Sequence, residues 1–151
     1  MVTRTLSLAA FSLGLLMLAG CGSAPKLEKI GVRVKEISPS GATMTLLFIN
    51  PNNVPLVVPS TEHALTLDGA SMGVIKNTKP LGIPPLGTIT ESVPLSDAVA
   101  KKIARAAAIH PGPSTYVIDS TLNLTWDDDI HAYKTSDRGS VTLAPSPVVA
   151  P

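Results

Sequence analysis

Apolar and polar residues alternate with a period of two along most of the chain, which is the pattern of half-buried β-strands. The segment 116–126 shows it most clearly, with aliphatic and aromatic residues on one face and mostly polar residues on the other. Clusters of Pro, Gly, Asn and Asp interrupt the alternation at short intervals and mark turns. The alternating segments are 30–35, 43–48, 65–68, 72–76, 88–95, 116–126, 130–134 and 141–143. The pattern predicts seven or eight short strands.

One segment departs from this period and predicts a helix. Val99, Ile103 and Ala106 recur at the spacing of one helix face. Ser96 is a suitable N-cap before them, and the His-Pro-Gly-Pro sequence at 110–113 ends the helix. Strands with one short helix inserted late predict an all-β fold, an antiparallel fibronectin/immunoglobulin-like β-sandwich.

The first 20 residues carry the features of a secretory signal peptide. A positive start that includes Arg4 precedes an apolar run over 6–18, which is too short to span a bilayer as a helix. Small residues follow, as they do before a cleavage site. We therefore predict that residues 1–20 are removed from the mature protein.

The end of this segment, Leu18-Ala19-Gly20-Cys21, resembles the lipobox of bacterial lipoproteins. The resemblance implies that signal peptidase recognises Leu18, Ala19 and Gly20. It also implies cleavage before Cys21, whose thiol receives diacylglycerol. Because one acyl chain anchors only marginally, we expect a multiply acylated Cys21 that carries palmitate. The alternative is an ordinary secretory signal in which the only Cys of the chain occurs there by chance.

The mature chain is predicted to have three parts. Residues 21–27 form a lipidated tether, in which the segment 22–27 spans at most about 20 Å when extended. Residues 28–143 form the folded domain, and the Pro-rich residues 144–151 form a disordered tail. The domain should therefore lie close to a membrane surface.

Charge and composition narrow the possible functions. The 151 residues include 12 Lys+Arg and 11 Asp+Glu, so the formal charge of +1 argues against a nucleic-acid partner. A single Cys excludes a disulfide framework and a Cys-based zinc cluster. A hydrophobic content of 44% is enough for a core. We predict a protein without a cofactor or a metal.

Within 28–143, an apolar strand is followed by a series of turn motifs in a fixed order. The most telling motif is Asn50-Pro51-Asn52 after the strand. The others are Val54-Pro55-Leu56, Leu65-Thr66-Leu67-Asp68-Gly69, Met72-Gly73, Ile83-Pro84-Pro85-Leu86-Gly87 and Val93-Pro94-Leu95. This series resembles the WHy (water stress and hypersensitive response) domain of the type 2 late embryogenesis abundant (LEA) proteins. The resemblance implies a fibronectin-like sandwich with one helix, a role in desiccation or other stress, and no catalytic residues.

The Asn50-Pro51-Asn52 motif also has a local interpretation. Asn side chains bond backbone groups in turns, and Pro fixes φ and ends a strand. The motif is then a structural turn, and a surface role in recognition is the alternative.

One motif suggests an enzyme. The sequence 69–73 matches the Gly-x-Ser-x-Gly pattern of a nucleophile elbow, which would make Ser71 a nucleophile. That chemistry needs a strand-to-helix turn and a His base, and here a hairpin between strands is expected instead. His63, His110 and His131 are the candidate bases, and each is predicted to lie at the rim or surface.

The acidic run Asp127-Asp128-Asp129, with Asp137 nearby, offers oxygen ligands that suit Ca²⁺. The spacing of an EF-hand is missing, and no Glu closes the loop. A solvated turn between two strands is therefore the prediction.

Together these features predict a non-enzymatic, membrane-anchored lipoprotein that protects the cell envelope or its proteins during desiccation or osmotic stress. In a host with two membranes, Gly and Ser after Cys21 rather than Asp resemble proteins sorted to the outer membrane, facing the periplasm. We expect a monomer that contacts the membrane through its lipid and has envelope proteins as clients. The alternatives are an envelope binding or assembly scaffold and, more remotely, a hydrolase that uses Ser71.

Overall fold

The computed structural model describes residues 26–126 and 128–143, which form two antiparallel β-sheets and one helix. In chain order the elements are β1 (Gly31–Ser38), β2 (Thr43–Ile49), β3 (Leu56–Leu67), β4 (Ala70–Asn77), β5 (Leu81–Ile83), β6 (Thr88–Pro94), α1 (Asp97–Ile109), β7 (Pro113–Trp126) and β8 (Asp129–Thr142). The predicted all-β sandwich with one short helix is confirmed, with eight strands in these ranges.

The two sheets have different sizes. The smaller sheet has the order β1-β2-β6, and the larger has the order β4-β3-β7-β8, with β5 paired to the first part of β3. On one side of the sandwich β1 approaches β8, and a parallel bridge joins Ile37 to Leu143. On the other side α1 packs against β4.

One end of the sandwich contains the point where the chain enters the domain. Gly31 at the start of β1 is opposite Ile49 at the end of β2, and Ile49 is also opposite Thr88 at the start of β6. In the larger sheet, Val57 near the start of β3 is opposite Thr125 near the end of β7. We call this the entry end; it contains the segment 26–30, the connections 50–55 and 84–87, and the turn between β7 and β8.

The core lies between the sheets and is built from alternate residues of both. The largest fully buried apolar side chains are Ile30, Ile37, Met44, Leu46, Phe48, Leu65, Leu67, Ile83, Ile103, Ile118 and Leu122. The strands therefore keep the period-two pattern that predicted them.

The helix begins and packs as its sequence indicates. Val99 N donates a hydrogen bond to Ser96 Oγ at 3.4 Å, and Asp97 occupies the positive first turn. Val99 and Ile103 are buried, and Ala106 packs at the edge of the core. The predicted N-cap and apolar stripe are both confirmed.

The last strand is longer than its sequence pattern suggests. The segments 130–134 and 141–143 were predicted as separate strands, but β8 runs without a break from Asp129 to Thr142. Between them the inward-facing positions are Thr135, Asp137 and Gly139, none of which carries an apolar side chain, so the apolar period is lost while the backbone pairing continues.

Residues 56–64 of β3 and the whole of β5 were not predicted as strands. The inward-facing side of β3 includes the polar residues Thr61 and His63, and its pairing with β7 is irregular between Val57 and Ser60. Strand β5 has only three residues, which is too short for a period to be recognised.

His63 lies inside the core, so the prediction of a rim or surface position for this residue was wrong. Its ring is fully buried, with Nδ1 2.8 Å from Ser120 Oγ and Nε2 2.8 Å from Thr61 Oγ1. These two hydroxyls satisfy both ring nitrogens, which makes burial of an imidazole tolerable. Burial lowers the pKa of His63 to about 4. His110 and His131 are exposed, as expected.

We predict that acidification destabilises the domain because His63 must stay neutral in the folded state. Its pKa is about 4 when folded and 6.5 when exposed, so between these values the unfolded chain binds a proton that the native chain does not. Stability should therefore fall as the pH drops below the unfolded value. Between about pH 7.5 and about pH 5 the loss should be about 2 kcal/mol, measured by urea unfolding.

Two His variants separate this effect from other titrations. His63→Gln removes the buried imidazole and should lose most of the pH dependence, whereas His131→Gln alters an exposed ring and should keep it. The same pH dependence in wild type and His63→Gln would show that His63 is not its source.

Candidate functional site

The candidate residues for lipid attachment, Leu18, Ala19, Gly20 and Cys21, lie outside the described residues, as does the predicted tail 144–151. The remaining family motif, Asn50-Pro51-Asn52, lies at the entry end, between β2 and β3. In the described part of the chain, no helix is both long and apolar enough to cross a bilayer.

Asn50 is the centre of this loop. Its side chain is 1% exposed, and its amide nitrogen donates to Val54 O at 2.8 Å and to Pro84 O at 3.0 Å. Its Oδ1 accepts from Asn52 N at 3.0 Å and from Asn52 Nδ2 at 3.1 Å. An Asn amide can make four hydrogen bonds, so the side chain of Asn50 is fully satisfied.

Asn52 extends the network to the start of the domain. Its Oδ1 accepts a hydrogen bond from Glu28 N at 2.7 Å, and its Nδ2 donates to Glu28 O at 3.4 Å. Its side chain is thus a two-point clamp on the backbone of the entering chain. Ile30, two residues after Glu28, is held in the same way: Tyr133 Oη accepts from Ile30 N at 3.1 Å, and Thr135 Oγ1 donates to Ile30 O at 2.8 Å. The path of the chain is therefore fixed from Glu28 onward.

The connection 84–87 packs against the same loop through backbone hydrogen bonds. Asn50 N donates to Gly87 O at 2.9 Å, and Leu86 N donates to Asn52 O at 2.8 Å. Leu86 has a φ of 50°, and a Cβ on Gly87 would lie 2.7 Å from Pro84 Cγ. The Pro-Pro-Leu-Gly sequence thus forms a tight loop that needs glycine at its end.

These contacts describe what the Asn-Pro-Asn residues do. Both Asn side chains point inward and bond backbone groups of their own loop and of two other segments, while Pro51 ends β2. The arrangement supports the structural interpretation of the motif. Sequence reasoning missed Glu28, because the clamp uses only its backbone groups and any residue except Pro can supply them.

Ser71 is placed in a hairpin rather than on a nucleophile elbow. It lies in β4, is exposed, and is opposite Thr66 of β3. Asp68 and Gly69 have φ of 47° and 80°, as a tight two-residue turn requires. Gly73 has a φ of 129°, and a Cβ there would lie 3.2 Å from Val99 of the helix. Each glycine of the motif therefore has a structural reason.

The acidic run occupies the turn between β7 and β8. Trp126 is opposite Asp129, and Asp128 has a φ of 66°, while Asp127 lies outside the described residues. Asp137 is on the strand away from the turn, where it accepts a hydrogen bond from Tyr116 Oη at 2.9 Å. Among the described residues no cluster of three or more His, Cys, Asp or Glu could hold a metal.

Comparison with known proteins relates the fold to that of an LEA protein. A candidate LEA protein with a solution structure is similar over 79% of this chain and 73% of its own, with 15% identity and a TM-score of 0.51. A protein of Arabidopsis thaliana is similar over 81% of this chain and 89% of its own (16% identity, TM-score 0.45). A protein of Archaeoglobus fulgidus is similar over 77% and 96% (12% identity, TM-score 0.46).

At sequence identities of 12%, 16% and 15%, the similarity concerns the fold alone. The chain has an LEA-like β-sandwich, and the evidence for this is the first of the three structures. No family model matches the chain, and no curated protein matches it.

We predict that Asn50→Ala destabilises the domain by about 2–4 kcal/mol, because it removes a buried amide and leaves its partners Val54 O, Pro84 O and Asn52 N without that hydrogen bond. Asn50→Asp keeps the shape of the side chain but loses both N–H donors, so it should be destabilising as well. Asn53→Ala removes the same side chain at an exposed neighbouring position and should change stability by less than about 0.5 kcal/mol. Thermal or urea unfolding measures all three. An effect of Asn50→Ala as small as that of Asn53→Ala would refute the role of the amide.

Proposed function

We propose that this protein is a lipid-anchored, non-catalytic module that protects the cell envelope or its proteins during desiccation or osmotic stress. The observation that carries the proposal is the position of the lipobox-like Cys21, only seven residues before Glu28, where the path of an LEA-like sandwich becomes fixed. A chain of this length spans at most about 25 Å when extended. A lipid on Cys21 therefore holds the domain beside the membrane.

The outer face of the larger sheet supports a protective role. It is rich in hydroxyl and amide side chains and carries charges of both signs. Its polar residues include Ser60, Glu62, Thr66, Lys76, Asp119, Thr121, Asn123, Thr125, Lys134, Ser136 and Arg138. Such a face offers many hydrogen-bonding groups that can take the place of water on a drying surface.

Away from the entry end, the apolar residues on this face are dispersed. Val74 is 54% exposed and Val117 is 41% exposed, but Val117 lies between Thr66 and Arg138 in the pairing of the strands. Contiguous apolar patches of several hundred Å² are the usual mark of a protein-binding surface. The dispersal favours the protective role over the binding role for this part of the face.

An envelope scaffold remains the second candidate, and the edge of the smaller sheet favours it. Among the described strands, β6 is paired only to β2, so its other edge presents backbone groups that a partner strand can bond. Glu91 of this strand forms an ion pair through its Oε1 with Nζ of Lys79, which lies between β4 and β5, at 2.8 Å. Affinity capture from envelope extracts, with the lipidated protein as bait, tests this candidate: one specific partner supports a scaffold.

Lipidation is tested by metabolic labelling with palmitate. Wild type should be labelled and recovered with membranes, and Cys21→Ala should lose the label and the membrane association. Because Cys21 is the only Cys, no other thiol can take the lipid. Unlabelled wild type, or labelling that persists in Cys21→Ala, would contradict the anchor.

The protective role is tested by survival after drying and after osmotic upshift in the organism that carries the gene. Deletion should lower survival. Wild type and Ser71→Ala should restore it equally, because Ser71 has no catalytic task, whereas Cys21→Ala should restore it poorly because the domain leaves the membrane. Unchanged survival of the deletion strain would count against protection, and failure of Ser71→Ala alone would favour the hydrolase.

A further inference from the structure

The entry end carries exposed apolar side chains. Leu86 is 73% exposed, Ile130 is 66% exposed and Val57 is 52% exposed, and all three are at this end of the sandwich. At the opposite end the described residues include one comparable side chain, Ile109 at the end of the helix, at 70%. A single exposed apolar side chain is normal on a protein surface, but several of them at one end of a domain indicate an interaction surface.

Two of these residues belong to one row across the larger sheet. Val57 of β3 is opposite Thr125 of β7, which is opposite Ile130 of β8, so all three point outward from the same face. Strands lie about 4.8 Å apart, which puts Val57 and Ile130 about 10 Å from each other. Gly82 continues the row beyond Val57, and a Cβ there would meet no atom within 4 Å. A broad surface can therefore approach the outward side of this row without meeting other atoms at Gly82.

Leu86 is presented by a rigid loop. Its backbone N–H is bonded to Asn52 O, and the neighbouring Gly87 O is bonded to Asn50 N. Its φ of 50° is uncommon for a residue with a Cβ. Because the Asn50 network holds this conformation, the exposed side chain is not a sign of a loose loop.

The charges around these residues do not favour a strongly charged partner. Lys26 and Lys29 are exposed at the chain entry, and Glu28, Asp128 and Asp129 are exposed beside them. Both signs are mixed within a short distance. An attraction to this end would therefore depend on apolar contact more than on net charge.

We propose that the entry end docks on the lipid bilayer, with the Leu86 and Ile130 side chains inserted at the level of the headgroups and upper acyl chains. This inference rests on the proposed lipid anchor at Cys21. The tether of about 25 Å keeps this end, and not the helix end, at the membrane surface. It also gives the exposed side chains a high effective concentration of lipid, so that a weak apolar contact is enough to orient the domain.

The chain contains its own reporter for this contact. Trp126 is the only Trp, and it lies at the end of β7, next to Thr125 in the row of Val57 and Ile130. It is partly exposed, so its fluorescence responds to its surroundings. In phosphatidylcholine vesicles whose acyl chains carry bromine, docking should quench Trp126 by about twofold or more, because the bromine atoms lie at the depth reached by interfacial side chains.

The experiment uses the full lipoprotein, reconstituted in these vesicles and separated from free protein by flotation. Leu86→Ser with Ile130→Ser should float with the vesicles through its lipid but lose most of the quenching. Ile109→Ser removes an equally exposed side chain at the far end and should keep the wild-type quenching. Quenching should be the same at low and high salt.

The outcomes separate this inference from the proposed function. Wild type that floats but is not quenched keeps the anchor and overturns the docking. Protein that does not float overturns the anchor; coupling a maleimide lipid to Cys21, the only thiol, then tests docking by the same quenching. If Trp126 is shielded from acrylamide without lipid and the mass is doubled, a second copy covers this end, and the lipid assignment is wrong.

Discussion

The amide of Asn50 is the interaction on which the entry end depends. Its four hydrogen bonds join the end of β2, the start of β3 and the connection between β5 and β6, and Asn50 itself is only 1% exposed. An amide is suited to this task because two donors and two acceptor sites lie in one plane on a short side chain. Through Asn52 the network reaches Glu28, so one motif fixes both the loops and the entry of the chain.

This constraint links the fold to the proposed location of the protein. In the proposed function a short segment attaches the domain to a lipid, and such a segment can set an orientation only if it joins the domain at a fixed point. The clamp on Glu28 and the bonds of Tyr133 and Thr135 to Ile30 provide that point. The far end, with the helix, is then directed away from the membrane, and the polar outer face of the larger sheet stays accessible from the side.

The sequence predicted an element correctly wherever apolar side chains are buried and the polar side chains between them are exposed. Strands β1, β2 and β7, the helix with its Ser96 N-cap, and the Asp68-Gly69 turn follow from period and turn chemistry. The pattern failed where polar residues face the core. Inward-facing Thr61 and His63 interrupt the apolar alternation in residues 56–64 of β3, and Thr135 interrupts it in the middle of β8. These polar side chains can face inward because their hydroxyl and imidazole groups form hydrogen bonds that only the folded structure supplies. The Asn50-Pro51-Asn52 motif could be located from sequence, but its contacts with Pro84 and Glu28 are long-range and could not.

Amide hydrogen exchange of the native protein measures whether the Asn50 network fixes the chain at Glu28. The amides of Glu28, Asn52 and Leu86 donate to Asn52 Oδ1, Asn50 Oδ1 and Asn52 O, so they should exchange as slowly as the paired amides of β2. Exchange of Glu28 and Asn52 as fast as that of the exposed Asn53 would mean that the entry is not fixed. Both the length of the tether and the choice of the docking end would then lose their basis.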